Sequence, residues 1–577
     1  MTFDYAYNQL SVCFPSRHSL LTSIRPDTTG IHTWTDSQLP FLESIFSVMV
    51  RNQYHSAGVG KLFHHAHNGS AEFPDGRWDG YWYKYQAYEQ RFMNASIQPD
   101  DVHAEEDFRD HIITSYAIDK IRELDKKSKQ SDQPFMVSIG FKQPHTQYHV
   151  PRKYYDMYKG SPYLQNILDP QSNHSKFIWP ESSPRLNYRC CDRFKFWPLV
   201  DEGRVKSKKG LPDLPVLYGS MKFPRKAVME LQHGYIAGVT FLDAMLGRVL
   251  DLMDELNLWS NTIVIFTSDH GMHVGEKGMW EKYTLFEETT RVPLIIADPR
   301  YSKQWNTHVS RIGRAVFHLR SVSFPFSNFL FFFSFMFFSF SVHVKSFSVE
   351  VLDIIPTLLD LLEIPRIPVL CPTGRLCPEF EGKSLAPAVR DGHVGDIRGV
   401  DYALSQLRRC PYPKTDKPRS DHPDDKWDAI CHKRNRDKGS VMGYSIRVKD
   451  WRYTAWFQYD EATKRPLISL PLVSEEMYSH LDEKVHEFDI ELKNLITCEQ
   501  DQCFCKTGGI ETIRSELKSV IYKFLMKTMS YNIKEALNKT RTLYSSTYEI
   551  RNNRAFKLIA TGEKVLLEKQ NRFSGPK

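Results

Sequence analysis

Side chains that could do chemistry occur in five short segments of this sequence, and the first contains a cysteine. Cys13 opens the run Cys13-Phe14-Pro15-Ser16-Arg17, which places a potential nucleophile close to a guanidinium. A short loop with a chance cysteine is the alternative interpretation of this run. The other four segments carry cationic, imidazole or carboxylate groups: Lys61 with His64, His145, Asp269 with His270, and Lys282.

Two of these segments have a recognisable chemistry of their own. Asp269 and His270 offer an oxygen and a nitrogen ligand that suit a hard divalent cation such as Ca²⁺. Lys61 and His64 place a cation and an imidazole within one turn of each other. A lone histidine is more often a hydrogen-bonded structural residue, so the whole set carries more weight than any single member.

The elements that position these groups are predicted strands of a buried sheet. Residues 262–267 form an uninterrupted apolar run that ends at Asp269, residues 135–140 form a second run that leads to His145, and residues 293–297 form a third. Such runs are typical of strands buried on both faces of a parallel sheet. Open α/β sheets place their active sites just past the carboxyl ends of these strands, so we predict the site at that edge.

Helical periodicity surrounds the predicted strands. Residues 228–258 and 351–362 carry apolar side chains at helical spacing, which predicts helices packed on the sheet. Farther along, the sequence predicts an antiparallel hairpin around the turn at 449–450 and an amphipathic helix over 513–524. The fold class is therefore α/β, with a mostly parallel sheet flanked by helices and a smaller C-terminal α+β subdomain over 440–530.

Size and charge narrow the function classes. A chain of 577 residues with 41% hydrophobic content can build one large domain and a smaller one. The net charge of +7 comes from the end of the chain, since residues 506–577 contain 15 Lys and Arg against 6 Asp and Glu. A basic tail at 531–577 could attract a polyanionic substrate, and an ordinary solvated surface is the alternative. We expect no nucleic acid partner.

Cysteine and asparagine positions bear on the compartment. Cys371 and Cys377 enclose a proline and a glycine and could close a small disulfide loop in a secretory protein. Zinc is the competing interpretation, but no histidines stand at ligand spacing nearby. Four glycosylation sequons also fit a secretory route, although several would arise by chance: Asn68, Asn94, Asn173 and Asn538.

A phenylalanine-rich segment at 321–346 interrupts the pattern. Residues 321–342 carry no charge, and ten of the seventeen residues from 324 to 340 are Phe. The segment is long enough to span a bilayer. A spanning helix would separate elements that should share one core, so we favour a translated intron over a transmembrane segment and consider a membrane partner unlikely.

In this combination and order, the segments resemble the sulfatase family. Its signature, Cys-x-Pro-Ser-Arg-x-x-x-Leu-Thr-Gly, matches residues 13–23 except that Ser23 stands in place of the glycine. Five further segments share the likeness: residues 25–29, 59–64, 142–145, 267–276 and 442–447. The resemblance covers roughly residues 3–480 and implies an alkaline-phosphatase-like fold.

The resemblance implies a catalytic role for residue 13 and its neighbours. A formylglycine-generating enzyme would oxidise Cys13 to formylglycine, whose hydrated form has two hydroxyls and serves as nucleophile and metal ligand. One hydroxyl attacks sulfur and the other later expels sulfate by re-forming the aldehyde. Arg17 would offset the charge of the bound sulfate. Lys61 and His64 would orient the diol, with His64 as the base that triggers sulfate release.

The same resemblance implies roles on the substrate side of the site. His145 and Lys282 would bind sulfate oxygens and assist the leaving alcohol as general acids. Asp269 and His270 would hold one calcium ion, which polarises the sulfate as a Lewis acid.

Within the family, the likeness is greatest to members that remove the 2-O-sulfate of iduronate in heparan sulfate and dermatan sulfate. The sequence departs from that subgroup at two positions: Gly30 and Met272 stand where the subgroup has a basic and an aromatic residue. Another glycosaminoglycan sulfatase or an arylsulfatase is one alternative. An inactive, glycan-binding truncated product is another.

The family pattern also includes an Asp-Asp pair at the end of a first strand, well ahead of the cysteine. The pairs Asp100-Asp101 and Asp424-Asp425 follow loops instead. No signal peptide opens the chain. We therefore expect a strand with two calcium ligands and a signal peptide upstream of Met1, and a lysosomal location for the complete enzyme.

Overall fold

The structure is a computed structural model with side chains. It describes residues 1–33, 44–62, 80–82, 97–100, 103–146, 148–168, 180, 182–187, 225–301, 343–344, 348–365, 380–391, 402–411, 427–428, 439–481, 491–496 and 508–530. Several predictions fall outside these ranges: those for His64, the disulfide between Cys371 and Cys377, the four sequons, residues 321–342 and the tail at 531–577.

Within these ranges the structure contains both strands and helices. The strands are β1 (Thr2–Tyr7), β2 (His55–Gly60), β3 (Gly80–Trp82), β4 (Ile97–Asp100), β5 (Phe135–Gly140), β6 (Tyr148–Pro151), β7 (Val264–Thr267), β8 (His273–Val274), β9 (Trp280–Glu281), β10 (Arg291–Ala297), β11 (His343–Val344), β12 (Val349–Glu350), β13 (Ala403–Pro411), β14 (Trp427–Asp428), β15 (Ser440–Val448), β16 (Trp451–Asp460), β17 (Arg465–Pro466) and β18 (Ser474–Ser479). The α-helices are α1 (Cys13–Thr22), α2 (Pro26–Thr29), α3 (Ile45–Arg51), α4 (Arg109–Ser131), α5 (Arg152–Asp156), α6 (Pro162–Leu168), α7 (Arg225–Glu255), α8 (Glu287–Thr290), α9 (Ile354–Leu361), α10 (Ala386–Asp391) and α11 (Gly508–Ser530).

The N-terminal half of the chain is built on two sheets that end near the predicted site. The first has the order β11-β1-β10-β7, with β12 also paired to β1, and the second has the order β3-β2-β5 with all strands parallel. Strand β10 runs antiparallel to both β1 and β7. This differs from the parallel environment predicted for 293–297, because residues 268–290 return the chain so that β10 pairs beside β7 in the opposite direction.

Strands β5 and β7 face a common apolar cluster. Phe135, Val137 and Ile139 of β5 pack with Val264 and Phe266 of β7. All five side chains are half-buried, whereas the apolar runs predicted strands buried on both faces. Among the described residues, β5 pairs only with β2 and β7 pairs only with β10, which leaves each at the end of its sheet.

The helices that cover this half follow the predicted periodicity. Helix α7 runs from Arg225 to Glu255 and packs its apolar face against α4, where Ile121 joins Val249 and Met253 in one buried cluster. Helix α9, preceded by a short 3-10 turn at Val351–Asp353, occupies the region predicted as helix over 351–362. None of the described helices is long and apolar enough to cross a membrane.

A separate, antiparallel sheet forms the C-terminal subdomain. Its order is β14-β13-β15-β16-β17, with β18 also on β16. The predicted hairpin around residues 449–450 is β15 and β16, paired over nine residues from Ser440 to Val448. Helix α11 packs on this sheet through Leu517, Ile521 and Leu525. Since β13 pairs with β15, the sheet begins at Ala403 and therefore draws on residues ahead of 440.

A buried charge network joins the two halves. The Oε2 atom of Glu287 accepts from Arg447 Nε at 3.0 Å and from Arg452 Nη2. The Glu491 carboxylate accepts from Arg452 Nε and, at 2.9 Å, from His480 Nε2. Removing one partner from such a buried ion pair costs about 3–5 kcal/mol because an uncompensated charge remains. The network therefore fixes the C-terminal sheet against α8.

Candidate active site

Cys13 lies at the first turn of α1, where a tight chain turn follows β1. Its side chain is buried, and Val12 before it is extended with φ −141° and ψ 132°. The N-terminus of this ten-residue helix favours negative charge through its partial positive dipole. The local fold thus places residue 13 in an environment suited to an anionic group.

Arg17, one helical turn beyond Cys13, joins α1 to the ends of two strands. Its Nε donates to Asp269 Oδ2 at 2.7 Å, beyond the end of β7. Its Nη1 donates to the carbonyl oxygens of Lys61 and, at 3.3 Å, Leu62, beyond the end of β2. Ser16 adds a hydrogen bond from its hydroxyl to the carbonyl oxygen of Asp269. These contacts fix the position of α1, and with it residue 13, against both sheets.

The other predicted side chains converge on the sulfur atom of Cys13. Lys282 Nζ lies 3.1 Å from Sγ, His270 Nε2 lies 3.2 Å away, and Lys61 Nζ lies 3.8 Å away. His145 also interacts with the same thiol and helps to lower its pKa. Apart from His64, the structure thus brings every predicted site residue into one cluster.

The electrostatics of this cluster favour an anion at residue 13. Burial acts to raise the pKa of the Cys13 thiol, but Lys282, Lys61 and His270 together hold that pKa well below its usual value. Burial lowers the pKa of Lys61 to about 8. Burial, followed by the charges of Lys282 and Lys61, also holds the pKa of His145 well below its usual value. In a converted protein, the thiol position would be taken by the oxygens of the hydrated aldehyde.

Asp269, His270 and Cys13 form a candidate cation site. One ligand atom from each lies within 4.8 Å of the others. Burial acts to raise the pKa of Asp269, yet Arg17 and His270 lower it to about 2, so the carboxylate is ionised. With His270 Nδ1–H donating to the carbonyl of Gly271 at 2.7 Å, its Nε2 lone pair is directed toward residue 13. A backbone acceptor that orients the imidazole in this way is usual for a metal-bound histidine.

The donor set fits a hard cation once residue 13 offers oxygen instead of sulfur. Ca²⁺ takes six to eight oxygen-rich ligands, so these three residues would be part of its coordination shell. A second buried group of possible ligands, Glu287, His480 and Glu491, is already neutralised by the arginines of the charge network. The cluster at residue 13 is therefore the better candidate among the described residues.

A carboxylate that the sequence analysis missed positions the His145 loop. Both oxygens of the buried Asp110 accept backbone hydrogen bonds, from Lys142 N and Gln143 N at 2.8 Å each. The Gln143 side chain then donates to the carbonyl of His149 at 3.2 Å. Asp110 lies on α4, far in sequence from the loop, and a carboxylate that binds backbone amides leaves no pattern in the sequence.

Lys282 lies in a strained part of the backbone. Its two neighbours, Glu281 and Tyr283, have φ values of 66° and 73°, which non-glycine residues seldom adopt. Each such residue costs on the order of 1–3 kcal/mol and persists only where surrounding contacts impose it. The strained loop places the Lys282 ammonium against residue 13.

Comparisons with known proteins agree with this geometry. Residues 1–364 match the protein family described as Sulfatase. The chain is 29% identical to the iduronate 2-sulfatases of Mus musculus and Homo sapiens, over 484 and 495 residues. These alignments cover 79% and 80% of this chain and 78% and 79% of the two relatives.

The fold has a similar counterpart among solved structures. A protein in complex with its substrate D-glucosamine-2-N,6-O-disulfate superposes with a TM-score of 0.56. The match covers 92% of this chain and 90% of that chain at 17% sequence identity, so it bears on the fold alone. The predicted α/β, alkaline-phosphatase-like fold class is confirmed.

The candidate cation site yields a binding prediction. Asp269→Asn keeps the shape of the side chain and removes its charge, so we expect Ca²⁺ to bind at least about tenfold more weakly. Isothermal titration calorimetry with Ca²⁺ alone measures this without any substrate. Asp460→Asn, which alters an exposed carboxylate at the end of β16, is the matched control. Equal Ca²⁺ affinity in the Asp269→Asn variant and the parent protein would remove Asp269 from the ligand set.

Proposed function

This chain belongs to the sulfatase family and is a sulfuric ester hydrolase, and we propose that its substrate is the 2-O-sulfate of iduronate in heparan sulfate and dermatan sulfate. The observation that carries the sulfate chemistry of the proposal is the cluster at residue 13. Three nitrogen atoms, from Lys282, His270 and Lys61, lie within 3.8 Å of its sulfur. This arrangement supports formylglycine as the form of residue 13 that acts in catalysis.

Each side chain of the cluster has a position that suits its proposed role. When bound, calcium would act as a Lewis acid on the sulfate, held by residue 13, Asp269 and His270. Lys61 Nζ lies 3.8 Å from the sulfur of residue 13, and Arg17 donates to the backbone carbonyl of Lys61. Lys61 orients the attacking oxygen, while Arg17 holds the Asp269 carboxylate in place.

In the proposed reaction, sulfate is transferred from the sugar to residue 13 and then released. An oxygen of residue 13 forms a bond to sulfur, and the bond from sulfur to the sugar oxygen breaks. The departing sugar oxygen takes a proton from Lys282, whose Nζ lies 3.1 Å from the sulfur of residue 13, or from His145, which interacts with the same sulfur. Release of sulfate breaks the bond between the carbon of residue 13 and the sulfate oxygen: a base, a role we assign to His64, takes the proton of the second hydroxyl, and the aldehyde re-forms. Addition of water to the aldehyde then restores the diol.

The sugar assignment rests on the likeness to iduronate 2-sulfatases and on the charge of the site. Two positions depart from that subgroup. Gly30 closes α2 with φ 73°, a backbone shape that glycine adopts at no cost. Met272 receives a hydrogen bond from the Tyr148 hydroxyl at 3.7 Å. Both therefore have structural roles here.

A secretory route and a lysosomal location complete the proposal. Cys410 on β13 is disulfide-bonded, to a partner outside the described residues, and disulfides persist mainly in oxidising compartments. Conversion of Cys13 requires a formylglycine-generating enzyme in that route, so this enzyme is the proposed maturation partner. The proposed substrate partner is a sulfated glycosaminoglycan.

The substrate proposal predicts a preference between two disaccharides. After production with a formylglycine-generating enzyme, we expect sulfate release from a non-reducing-end 2-O-sulfated iduronate to exceed that from a matched 6-O-sulfated glucosamine by about 10²-fold or more in kcat/KM. Ion chromatography of released sulfate measures both rates, and Cys13→Ala, which should release none, is the control. A preference for the 6-O-sulfate, or for aryl sulfates alone, would overturn the sugar assignment and leave the sulfatase class intact.

The leaving-group roles predict a dependence on the departing alcohol. His145→Ala and Lys282→Ala should slow sugar sulfate hydrolysis by about 10²–10⁴-fold and should slow aryl sulfates with activated phenols much less. Lys61→Ala is the matched contrast, because a group that orients the nucleophile should affect both substrates equally. Steady-state kcat/KM on the two substrate types measures the ratio. Equal losses in all three variants would contradict the assignment of His145 and Lys282 to the leaving group.

A further inference from the structure

The loop that carries Lys282 depends on contacts from outside itself. It links β9 to α8, and its backbone has positive φ on both sides of Lys282, at Glu281 and Tyr283. Non-glycine residues keep this shape only where their surroundings impose it. The side chains that grip the loop therefore decide where the Lys282 ammonium lies.

One guanidinium reaches the loop from the C-terminal sheet. Arg409 lies on β13 and is 1% exposed. Its Nη2 donates to the carbonyl oxygen of Tyr283 at 2.5 Å, one residue beyond Lys282, and its Nε donates to the carbonyl oxygen of Leu186 at 2.6 Å. Arg409 thus ties the strained loop to a separate chain segment.

Two further contacts hold the same loop relative to residue 13. The carbonyl oxygen of Ser11 accepts from Tyr283 N at 3.2 Å, and the Ser11 hydroxyl donates to the carbonyl oxygen of Thr284 at 2.6 Å. Ser11 precedes Cys13 by two residues, so a displaced loop would also be displaced from residue 13. Arg409 contacts the loop from β13, and Ser11 contacts it from the segment between β1 and α1.

Apolar packing leaves the loop little freedom to adjust. One buried cluster contains residues from the segment before Cys13, from the Lys282 loop and from the C-terminal sheet: Leu10, Val12, Leu186, Tyr283, Leu285, Leu407, Val441 and Trp456. Leu407 and Arg409 lie two residues apart on β13 and therefore on the same face of the strand. The face of β13 that carries Arg409 is thus the face packed on the loop that carries Lys282.

We propose that Arg409 is a positioning residue that sets the location of the Lys282 ammonium at residue 13. The proposal rests on the proposed function for its kinetic consequence, although its structural consequence does not depend on any activity. A planar guanidinium donates along fixed directions to two carbonyls at once, whereas an ammonium is a point charge on a flexible stem. Lysine at this position would keep the charge and lose the two-point grip.

A structural experiment tests the placement directly. Crystal structures of the parent protein, Arg409→Lys and Arg408→Lys measure the distance from Lys282 Nζ to the β-carbon of residue 13. Arg408, the matched control, is equally buried on the same strand and lies over the Tyr459 ring at 5.3 Å, on the other face. We expect this distance to lengthen by about 1 Å or more in Arg409→Lys and to stay unchanged in Arg408→Lys. An unchanged distance in Arg409→Lys overturns the proposal.

A kinetic experiment then separates positioning from general stability. We expect Arg409→Lys to lower kcat on a sugar sulfate by about 10–100-fold, with KM within about threefold and a smaller loss on an activated aryl sulfate. In a Lys282→Ala background, the same substitution should cost less than about twofold, because its effect runs through the missing ammonium. Losses that multiply in the double variant would show a role independent of Lys282 and overturn the proposal.

A second variant covers the case in which Arg409→Lys does not fold. Ser11→Ala removes the hydroxyl that holds Thr284 and adds no bulk, so it should displace Lys282 and reproduce the leaving-group dependence in weaker form. If the parent protein shows no sulfate ester hydrolysis, the proposed function fails while the crystallographic distances still decide the positioning claim. If the parent is active and both variants keep the parent's distance and rates, the positioning claim fails alone.

Discussion

The salt bridge between Arg17 and Asp269 is the interaction on which the rest of the site depends. Cys13 and Arg17 lie one turn apart on α1, so the fixed guanidinium of Arg17 also fixes the position of residue 13. The same guanidinium binds the backbone beyond β2. The Arg17 side chain therefore holds α1 in position relative to both sheets. Its partner, the Asp269 carboxylate, is also a candidate cation ligand.

Several buried positive charges lie close together around residue 13, and this arrangement is unfavourable without a negative charge among them. Lys61, Lys282 and Arg17 are all largely buried, and burial disfavours each charged form. Burial lowers the pKa of Lys61, which shows that its charged form is disfavoured. Burial would also lower the pKa of Lys282, but the negative charge at residue 13 raises it. Such a site is stabilised by an anion at its centre, which a sulfate ester supplies.

The C-terminal sheet is part of this arrangement and not a separate module. Glu287 begins α8, directly after the Lys282 loop, and its carboxylate is held by Arg447 and Arg452 of the sheet. The backbone amide of Glu287 also donates to Glu491 at 2.9 Å. The strained loop is therefore anchored at its far end by a buried charge network as well as by backbone contacts along its length.

Much of this organisation could be predicted from the sequence, because apolar runs and helical spacing indicate the strands and helices and short motifs indicate the site residues. The runs at 135–140 and 262–267 are strands, the 228–258 pattern is a helix, and the groups that follow the strands meet at residue 13. The antiparallel direction of β10 was not predictable, because an apolar run does not encode its neighbour's direction. Asp110 was missed because its carboxylate binds backbone amides that are distant in sequence.

The central claim is that residue 13 attacks sulfur and needs two hydroxyls for a full cycle. Cys13→Ser supplies one hydroxyl, so the account predicts one attack followed by a trapped sulfate ester. Mass spectrometry after incubation with an activated aryl sulfate should show one added sulfate on the peptide containing residue 13, with about one equivalent of phenol released. Continued turnover by Cys13→Ser, or a sulfate attached to any other residue, would contradict the account.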